Sequence, residues 1–285
     1  MTPSLSLDPV SDVRQLLTFP FMVNALQAGT IVAVLAAVVG WYMVLRRQSF
    51  AGHTLSVMAF PGATGAALVG LPSAVGYYLA CTIAALAMGR TSRLSQYGGS
   101  DQTAAIGTIQ TVGLAAGFLF LSLNQAVLGG PETLLFGTFL GVTRGQVLAL
   151  LIVAAVALGA LALLARPLTF ATVDREVARA RGVPVGLLDA GFLLILALAI
   201  AATSQITGAL LVFALLVAPP ASAQLVTSAP LAGLALSVGF AVAIVWLGLG
   251  IAYFSIYPVG FFITTFAFGL YVLLRAGRWA WSRRR

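Results

Sequence analysis

The sequence predicts an all-α, polytopic integral membrane protein with about nine transmembrane helices, eight being possible. Three observations predict this class. The mean hydropathy is +1.05, and 60% of the 285 residues are hydrophobic. Only 8% of the residues are charged, against about 25% in a typical soluble domain. The chain also divides into nine apolar runs close to the roughly 20 residues that a helix needs to cross the hydrocarbon.

The apolar runs are bounded by arginine, glycine or proline, which mark the ends of the spans. The first run closes on Arg46 and Arg47, the third on Arg90 and Arg93, and the fifth on Arg166. The predicted spans are residues 20–45, 52–70, 72–89, 104–123, 146–165, 187–206, 208–226, 230–254 and 258–274.

The segments between the spans are short. Residues 91–101 are rich in glycine and serine and predict a flexible loop. Residues 133–142 are too short to span and predict a re-entrant or interfacial helix on the outer side. The second run contains Pro61 and could be a broken helix, which leaves eight spans possible. One membrane domain over residues 19–275 therefore accounts for most of the chain, flanked by a polar extracytoplasmic segment, 1–18, and a basic tail, 276–285.

The positive charge indicates the topology. The formal net charge of +8 comes from arginine alone, since the chain has no lysine. An alternating path through the nine spans puts 13 of the 15 arginines on one side and only Arg14 and Arg144 on the other. Cytoplasmic loops of membrane proteins accumulate positive charge. The island between spans five and six and the C-terminus are therefore predicted to be cytoplasmic, and a nucleic-acid partner is not expected.

Several kinds of chemistry are excluded or disfavoured. Cys81 is the only cysteine, so an intramolecular disulfide or a cysteine-based cluster is impossible. The few acidic residues lie near span ends or in loops, where a proton relay is not expected. The sequence contains neither a metal-protease spacing nor a phosphate-binding loop of the G-x-x-x-x-G-K-[ST] type. Active transport by this chain would therefore take its energy from another polypeptide.

A charged island, residues 172–184, predicts a short polar helix between two spans. An ordinary solvated loop is the alternative interpretation. An N-cap, an acidic first turn, a basic last turn and a glycine stop occur in order at Asp174, Glu176, Arg179 with Arg181, and Gly182. Such a helix on the cytoplasmic side suits the transmission of force from a soluble ATPase to the spans.

Three segments resemble the integral membrane subunits of ABC importers for manganese, zinc and related divalent metals. The resemblance runs from residue 19 to about residue 274, and the segments come in the family's order and separation. They are LRRQSFAG at 45–52 with AFPG at 59–62, DREVARARGVP at 174–184 with LLD at 187–189, and ITGALLVFALLVAP at 206–219 with ASA at 221–223.

The resemblance implies a permease domain that works as a homodimer in the lipid of a bacterial or archaeal plasma membrane. Its partners would be an ABC ATPase subunit, which binds the ATP, and an extracytoplasmic metal-binding protein. No tightly bound cofactor is implied, and the transported zinc or manganese would be the only metal. Alternatives are an ABC permease for a metal chelate or another small solute, and an ATP-independent carrier or channel. The implied ATPase-coupling residues are Asp174, Arg175, Glu176, Ala178, Arg179, Ala180, Arg181 and Gly182.

The sequence departs from the family at its expected metal pair. Family members usually have an aspartate directly after the glycine of the second span and a histidine four residues later. Here these positions are His53 and Val57. A spacing of four residues places two side chains on one helical face, but this chain keeps only one ligand-type residue there. His53 is a candidate weak zinc ligand; alternatively, it hydrogen-bonds backbone or lines a wet cavity.

A further set of polar and proline residues could line a translocation pathway. Hydroxyl and amide groups could offer oxygens to a cation, and prolines inside helices free backbone carbonyls. Interhelical hydrogen bonds and simple kinks are the alternative roles. The candidates are Thr54, Ser56, Pro61, Gln205 and Pro219.

Overall fold

The computed structural model describes residues 9–94, 98–124, 137 and 139–283. Within these residues the chain is α-helical apart from one 3₁₀ turn and short connections, and no strand occurs. The all-α prediction is confirmed. The helices are α1 Pro9–Thr18, α2 Pro20–Leu45, α3 Ser49–Leu68, α4 Ser73–Leu94, α5 Gly98–Leu123, α6 Arg144–Val173, α7 Arg175–Ala180, α8 Val185–Val226, α9 Pro230–Tyr253 and α10 Val259–Ser282.

Six of the described segments are long and apolar enough to cross a membrane. They are Pro20–Leu45, Thr103–Leu123, Arg144–Val173, Val185–Ala209, Pro230–Tyr253 and Val259–Ala280. The helices α3 and α4 pack beside them, and Leu211–Val226 is a shorter apolar helix. With these three segments, the described part of the chain contains the nine predicted apolar helical segments.

Helix α2 lies at the centre of the bundle and is antiparallel to α9. The ring of Phe19, just before α2, lies 6.2 Å from that of Tyr253 at the end of α9. Farther along, the Ser237 hydroxyl donates to the Ala37 carbonyl oxygen at 3.3 Å. Residue numbers therefore rise along α2 as they fall along α9. The hydroxyl bond is typical of how small polar side chains join apolar helices in membranes.

Helix α8 reverses direction at Gly208. Gly208 has φ 74° and ψ 164°, and it is the non-helical residue between the two halves of α8. Asp189 lies beside Arg46 at the end of α2, and Leu216 lies against Gly40 only six residues earlier in α2. A straight helix would separate Asp189 from Leu216 by roughly 40 Å. The predicted boundary between the sixth and seventh spans is thus a tight reversal at Gly208 that separates the two helical halves of α8.

The end of the bundle that carries Arg46, α7 and the C-terminus is called here the α7 end. Arg278 of α10 donates to the Leu225 carbonyl oxygen near the end of α8 at 3.3 Å. The opposite end carries Phe19, Thr143 and Tyr253. The arginine distribution likewise predicts that the charged island and the C-terminal arginines share one side.

Helices α3 and α4 approach each other backbone to backbone. A methyl group built on Gly62 would overlap the Gly76 carbonyl oxygen, and one built on Gly76 would overlap that of Gly62. Small residues permit this kind of contact between apolar helices. Helix α3 also packs against α5 and α8, so most of its surface is buried.

Several predicted boundaries differ from the structure. The predicted flexible loop 91–101 is wrong at both ends, because α4 continues to Leu94 and α5 begins at Gly98. Helices α6 and α10 run on to Val173 and Ser282, since arginine has high helix propensity and does not stop a helix. The predicted re-entrant helix lies mostly outside the described residues; its described part includes a 3₁₀ turn, Phe139–Gly141.

Candidate functional site

The charged island folds as the short helix α7, and its capping residue joins two helices. Asp174 ends α6, where its N–H donates to the Phe170 carbonyl oxygen at 3.1 Å. The same residue caps α7, since its carboxylate accepts from the Val177 N–H at 2.9 Å. Gly182 follows α7 with φ 80°, a left-handed conformation that glycine adopts without strain. No atom lies within 4 Å of a methyl group built there, so conformation rather than space explains the glycine.

Most of the predicted coupling residues face away from the bundle. Arg175 reaches back to Asp189 while staying half-exposed, and Ala178 is fully buried against the chain's own helices. It therefore anchors α7 to the bundle, while the other seven present an exposed surface. The exposed residues are Asp174, Arg175, Glu176, Arg179, Ala180, Arg181 and Gly182.

Two arginines share one buried carboxylate beside α7. Asp189, in the first turn of α8, forms ion pairs with Arg46 at the end of α2 and with Arg175 at the start of α7. The Arg46 and Asp189 side chains are only 5% and 8% exposed, whereas that of Arg175 is 49% exposed. Arg46 also donates to the Thr172 hydroxyl of α6 at 3.1 Å. These four residues, here called the Asp189 cluster, connect α2, α6, α7 and α8.

The buried charge of Arg46 is balanced by its ion pair with Asp189. Burial lowers the pKa of Arg46 from its usual value, and the adjacent Asp189 carboxylate opposes that shift. A buried charge that loses its partner is strongly destabilising. Asp189 therefore supplies the counter-charge that the buried Arg46 guanidinium needs.

A polar cavity of about 310 Å³ adjoins the Asp189 cluster at the connection between α2 and α3. Arg47 stands in that connection with φ 56°, the one described non-glycine residue with positive φ. Such a conformation costs an arginine about 1 kcal/mol or more. The cavity is lined by Leu45, Arg46, Arg47, Gln48, Ala171, Thr172 and Arg175.

His53 lies in the first turns of α3, facing α8. Its ring centroid is 4.8 Å from that of Phe213, in the second half of α8. Its Nδ1 atom is buried and has no hydrogen-bond partner. Val57, one turn later, is buried and offers no ligand atom. In the described residues no group of three His, Cys, Asp or Glu side chains forms a metal site.

The other predicted pathway residues are separated from one another. The Thr54 hydroxyl donates to Gln110 Oε1 of α5 at 2.9 Å, while that of Ser56 donates to the His53 carbonyl oxygen at 2.7 Å. Gln205 lies nearer the opposite end of the bundle, where its Nε2 donates to the Ala201 carbonyl oxygen at 3.2 Å. These hydrogen bonds match the structural role that serine, threonine and glutamine commonly have in membranes.

Neither proline region breaks its helix. Pro61 and the pair Pro219 and Pro220 are buried inside helices that continue past them. The second span is therefore not broken at Pro61, and the pathway role of Pro61 and Pro219 stays a prediction. Tertiary packing holds these helices in spite of the lost hydrogen bonds, and the break in α8 comes at Gly208 instead.

Sequence reasoning missed the pairing of Arg46 with Asp189. The two residues are 143 positions apart, so no local pattern connects them. The available signal was a pair of opposite charges at the predicted cytoplasmic ends of two spans. Charges at such positions are costly unless they are paired.

The comparisons with known proteins agree with this architecture. Residues 18–277 match the ABC 3 transport family. The manganese transport system membrane protein MntC of Halalkalibacterium halodurans is 31% identical over 214 residues, covering 75% of this chain and 72% of that protein. The chelated iron transport system membrane protein YfeC of Yersinia pestis is 31% identical over 209 residues, covering 73% and 70%.

Solved structures share the fold. PsaBC from Streptococcus pneumoniae in complex with Fab superposes with a TM-score of 0.81 at 25% identity, covering 93% of this chain and 94% of that chain. An inward-facing conformation of a putative metal-chelate type ABC transporter gives a TM-score of 0.70 at 15% identity, covering 93% and 90%. The second likeness concerns the fold alone. On its family match and its relatives, the chain belongs to the ABC 3 transport family as a multi-pass membrane permease subunit.

Proposed function

We propose that this permease imports a divalent metal cation, manganese or zinc, by alternating access, and that α7 receives the force of a separate ATPase subunit. The observation that carries the proposal is the Asp189 cluster. Because Asp189 binds arginines from both α7 and α2, a displacement of α7 is transmitted directly to the central helix of the bundle. Asp189 itself belongs to α8, the helix whose Phe213 ring lies against His53.

The exposed surface of α7 suits an ATPase dock. It offers both signs of charge on a rigid, capped helix, with Glu176 in the first turn and Arg179 in the last. Interspersed charges across an interface favour one orientation of the partner over others. The buried Ala178 fixes the helix to the bundle, so that a push on α7 moves the spans rather than α7 alone.

The coupling role is tested by reversing one exposed charge. The Glu176→Arg variant of the chain is reconstituted in liposomes together with its ATPase and binding-protein subunits. We expect ATP-driven uptake and ATPase co-purification to fall about tenfold or more, because charges within a close interface pair couple by 1.5 kcal/mol or more. Arg144→Gln, at the opposite end, is the matched control and retains both activities. Unchanged uptake and association in Glu176→Arg would contradict the proposal.

The proposed substrate rests on the relatives and on His53. Two relatives from different bacteria are named as manganese transport membrane proteins. His53 faces α8 with an unpartnered Nδ1, and a neutral imidazole is a good transient ligand for zinc and related metals. In a homodimer, two such histidines would supply a ligand from each subunit.

Uptake of radiolabelled manganese and zinc tests the substrate. We expect the reconstituted wild type to accumulate one of them only when the ATPase subunit and ATP are present. His53→Ala should lower uptake while leaving ATP hydrolysis intact. Uptake that needs no ATPase subunit would instead identify a carrier or channel.

A metal chelate is the second candidate substrate. Two observations favour it: YfeC is named as a chelated iron transport membrane protein, and Val57 offers no ligand beside His53. A chelate brings its own ligands and needs few from the permease. Uptake of an iron chelate, with neither free manganese nor free zinc carried, would select this alternative.

A further inference from the structure

A second cavity at the α7 end plays no part in the coupling or in the substrate proposal. It has a volume of about 650 Å³ and lies between the end of α8, the connection to α9 and the last turns of α10. Its lining combines polar and apolar residues: Gln224, Leu225, Val226, Thr227, Ser228, Leu273, Leu274, Gly277 and Arg278.

Several polar side chains around this cavity have hydrogen-bond donors that no protein acceptor uses. Arg278 uses one N–H for the Leu225 carbonyl oxygen at 3.3 Å, and within the described residues its other guanidinium N–H groups have no protein partner. The Thr227 hydroxyl accepts from the Ala229 N–H at 3.2 Å, which leaves its own hydrogen free to donate. Gln224 Nε2 is buried without a partner. A wall of unused donors suits a ligand rich in acceptors.

The charge around the cavity is positive and unpaired. Arg275 and Arg283 lie on the same end of α10 as Arg278, and in the described part of the chain none of the three forms a salt bridge. Arg275 donates to the Tyr271 hydroxyl at 3.1 Å, and Arg283 lies 3.8 Å above the Trp279 ring. A basic cluster directly after a transmembrane helix is the pattern that recognises anionic lipid surfaces.

The cavity lies beside an exposed apolar side of α10. Leu273, in its lining, is 73% exposed, and Phe268 and Val272 are exposed below it. Trp279 is 56% exposed at the level of the arginines, where tryptophan anchors helices in the membrane interface. A ligand in the cavity would therefore have both a water-facing polar site and an apolar track toward the hydrocarbon.

We propose that this cavity binds the phosphate group of an anionic phospholipid. Arg278 donates directly to the phosphate, Thr227 and Ser228 contribute hydroxyl groups, and the acyl chains lie along the exposed side of α10. Arg275 and Arg283 add attraction for the anionic headgroup. A phospholipid rather than free phosphate is favoured because the apolar wall of the cavity, at Leu273 and Leu274, has no use in binding a small anion.

Native mass spectrometry of the full-length chain tests the proposal. The purified protein is exchanged into detergent with phosphatidylglycerol or with phosphatidylcholine, and retained lipid is counted. We expect preferential retention of phosphatidylglycerol by the wild type, and about fivefold weaker retention by Arg278→Gln, from the usual contribution of one arginine at an anionic surface. Arg278→Lys should retain most of the preference. Arg144→Gln, at the opposite end, is the matched control and should behave as wild type.

A second variant keeps the proposal testable if Arg278→Gln fails to fold. Ser228→Leu fills the cavity from an exposed position and should also displace phosphatidylglycerol. Equal retention of the two lipids by the wild type would overturn the proposal. So would thermal stabilisation by inorganic phosphate with none by phosphatidylglycerol. Loss of the ATPase subunit from Arg278→Gln with unchanged lipid retention would identify a protein dock and would equally overturn it.

Discussion

The Asp189 cluster and the surroundings of His53 differ in how their polar groups are paired. In the Asp189 cluster two arginines from separate helices converge on one carboxylate that is nearly fully buried. Around His53, hydroxyl groups bond to nearby backbone or to a single amide, and the imidazole Nδ1 has no partner. Ion pairs between helices therefore hold the α7 end together, whereas the hydroxyl groups near His53 are satisfied by uncharged hydrogen bonds.

The difference in pairing corresponds to two tasks of a permease, the transmission of force and the binding of substrate. An element that transmits force must resist being pulled apart, and a buried ion pair costs several kcal/mol to break. A site that binds and then releases a transported substrate needs polar side chains that are not already used in hydrogen bonds or ion pairs within the protein. The contrast predicts that substitutions in the Asp189 cluster damage stability and coupling together, while a substitution of His53 affects substrate uptake with little effect on stability.

The largest loss of stability is expected for Asp189→Asn. It leaves the buried Arg46 guanidinium without a counter-charge, at a cost of about 3–5 kcal/mol. The melting temperature of the purified protein should fall sharply. Glu176→Gln, on the exposed face of α7, is the matched control and should change stability by no more than about 0.5 kcal/mol. Equal melting temperatures for the two variants would remove the proposed distinction between paired and exposed charges.

Gly208→Ala should have the next largest effect. Its φ of 74° with ψ of 164° belongs to a region that is open essentially to glycine only, so alanine there costs about 1–3 kcal/mol. Gly239, inside α9, has no atom within 4 Å of an added methyl group. Gly239→Ala should therefore keep or slightly raise the melting temperature, because alanine favours a helix more than glycine does. A Gly208→Ala protein as stable as Gly239→Ala would show that α8 does not need this reversal.

Removing the cap of α7 should have a moderate effect. Asp174→Ala loses the hydrogen bond to the Val177 N–H, at a cost of about 1 kcal/mol. The expected result is faster trypsin cleavage at Arg179 and Arg181 with an unchanged global melting temperature. Asp174→Ser keeps a capping oxygen and should protect the segment. Identical cleavage rates in the two variants would argue against the cap.

The smallest change in stability is expected for His53→Leu. Its Nδ1 has no partner, and removing a buried polar atom without a partner is nearly neutral or stabilising. Thr54→Val is the comparison, since it breaks the bond to Gln110 and should cost about 1 kcal/mol. Metal uptake should fall more in His53→Leu than in Thr54→Val. The opposite order in uptake would assign the pathway to the hydroxyl instead.

The sequence predicted the features that depend on local signals. Helix α2 begins at Pro20 and ends at Leu45 as expected, because a proline suits the first helical position and the apolar run stops at Arg46. Helix α7 follows from Asp174, an acidic first turn and Gly182, all within nine residues. The position of Gly208 also appeared as a boundary, since the apolar run breaks there.

Other features could not be predicted from local patterns. The glycines near Gly98 indicated a loop, yet the structure is helical there, since glycine lowers helix propensity by only about 1 kcal/mol per residue and does not exclude a helix. Pro61 indicated a break that buried contacts prevent. The pairing of Asp189 with Arg46 requires the relative positions of α2 and α8, and a single sequence does not contain this information.

The backbone contact at Gly62 and Gly76 has a mechanical consequence. Since no side chain separates the two helices at this point, there is nothing that can change rotamer to let α3 slide past α4. We expect α3 and α4 to move together as one rigid body during a transport cycle. The slip plane then falls on the other face of α3, where the rings of His53 and Phe213 meet, and any motion that uncovers His53 carries α4 with it.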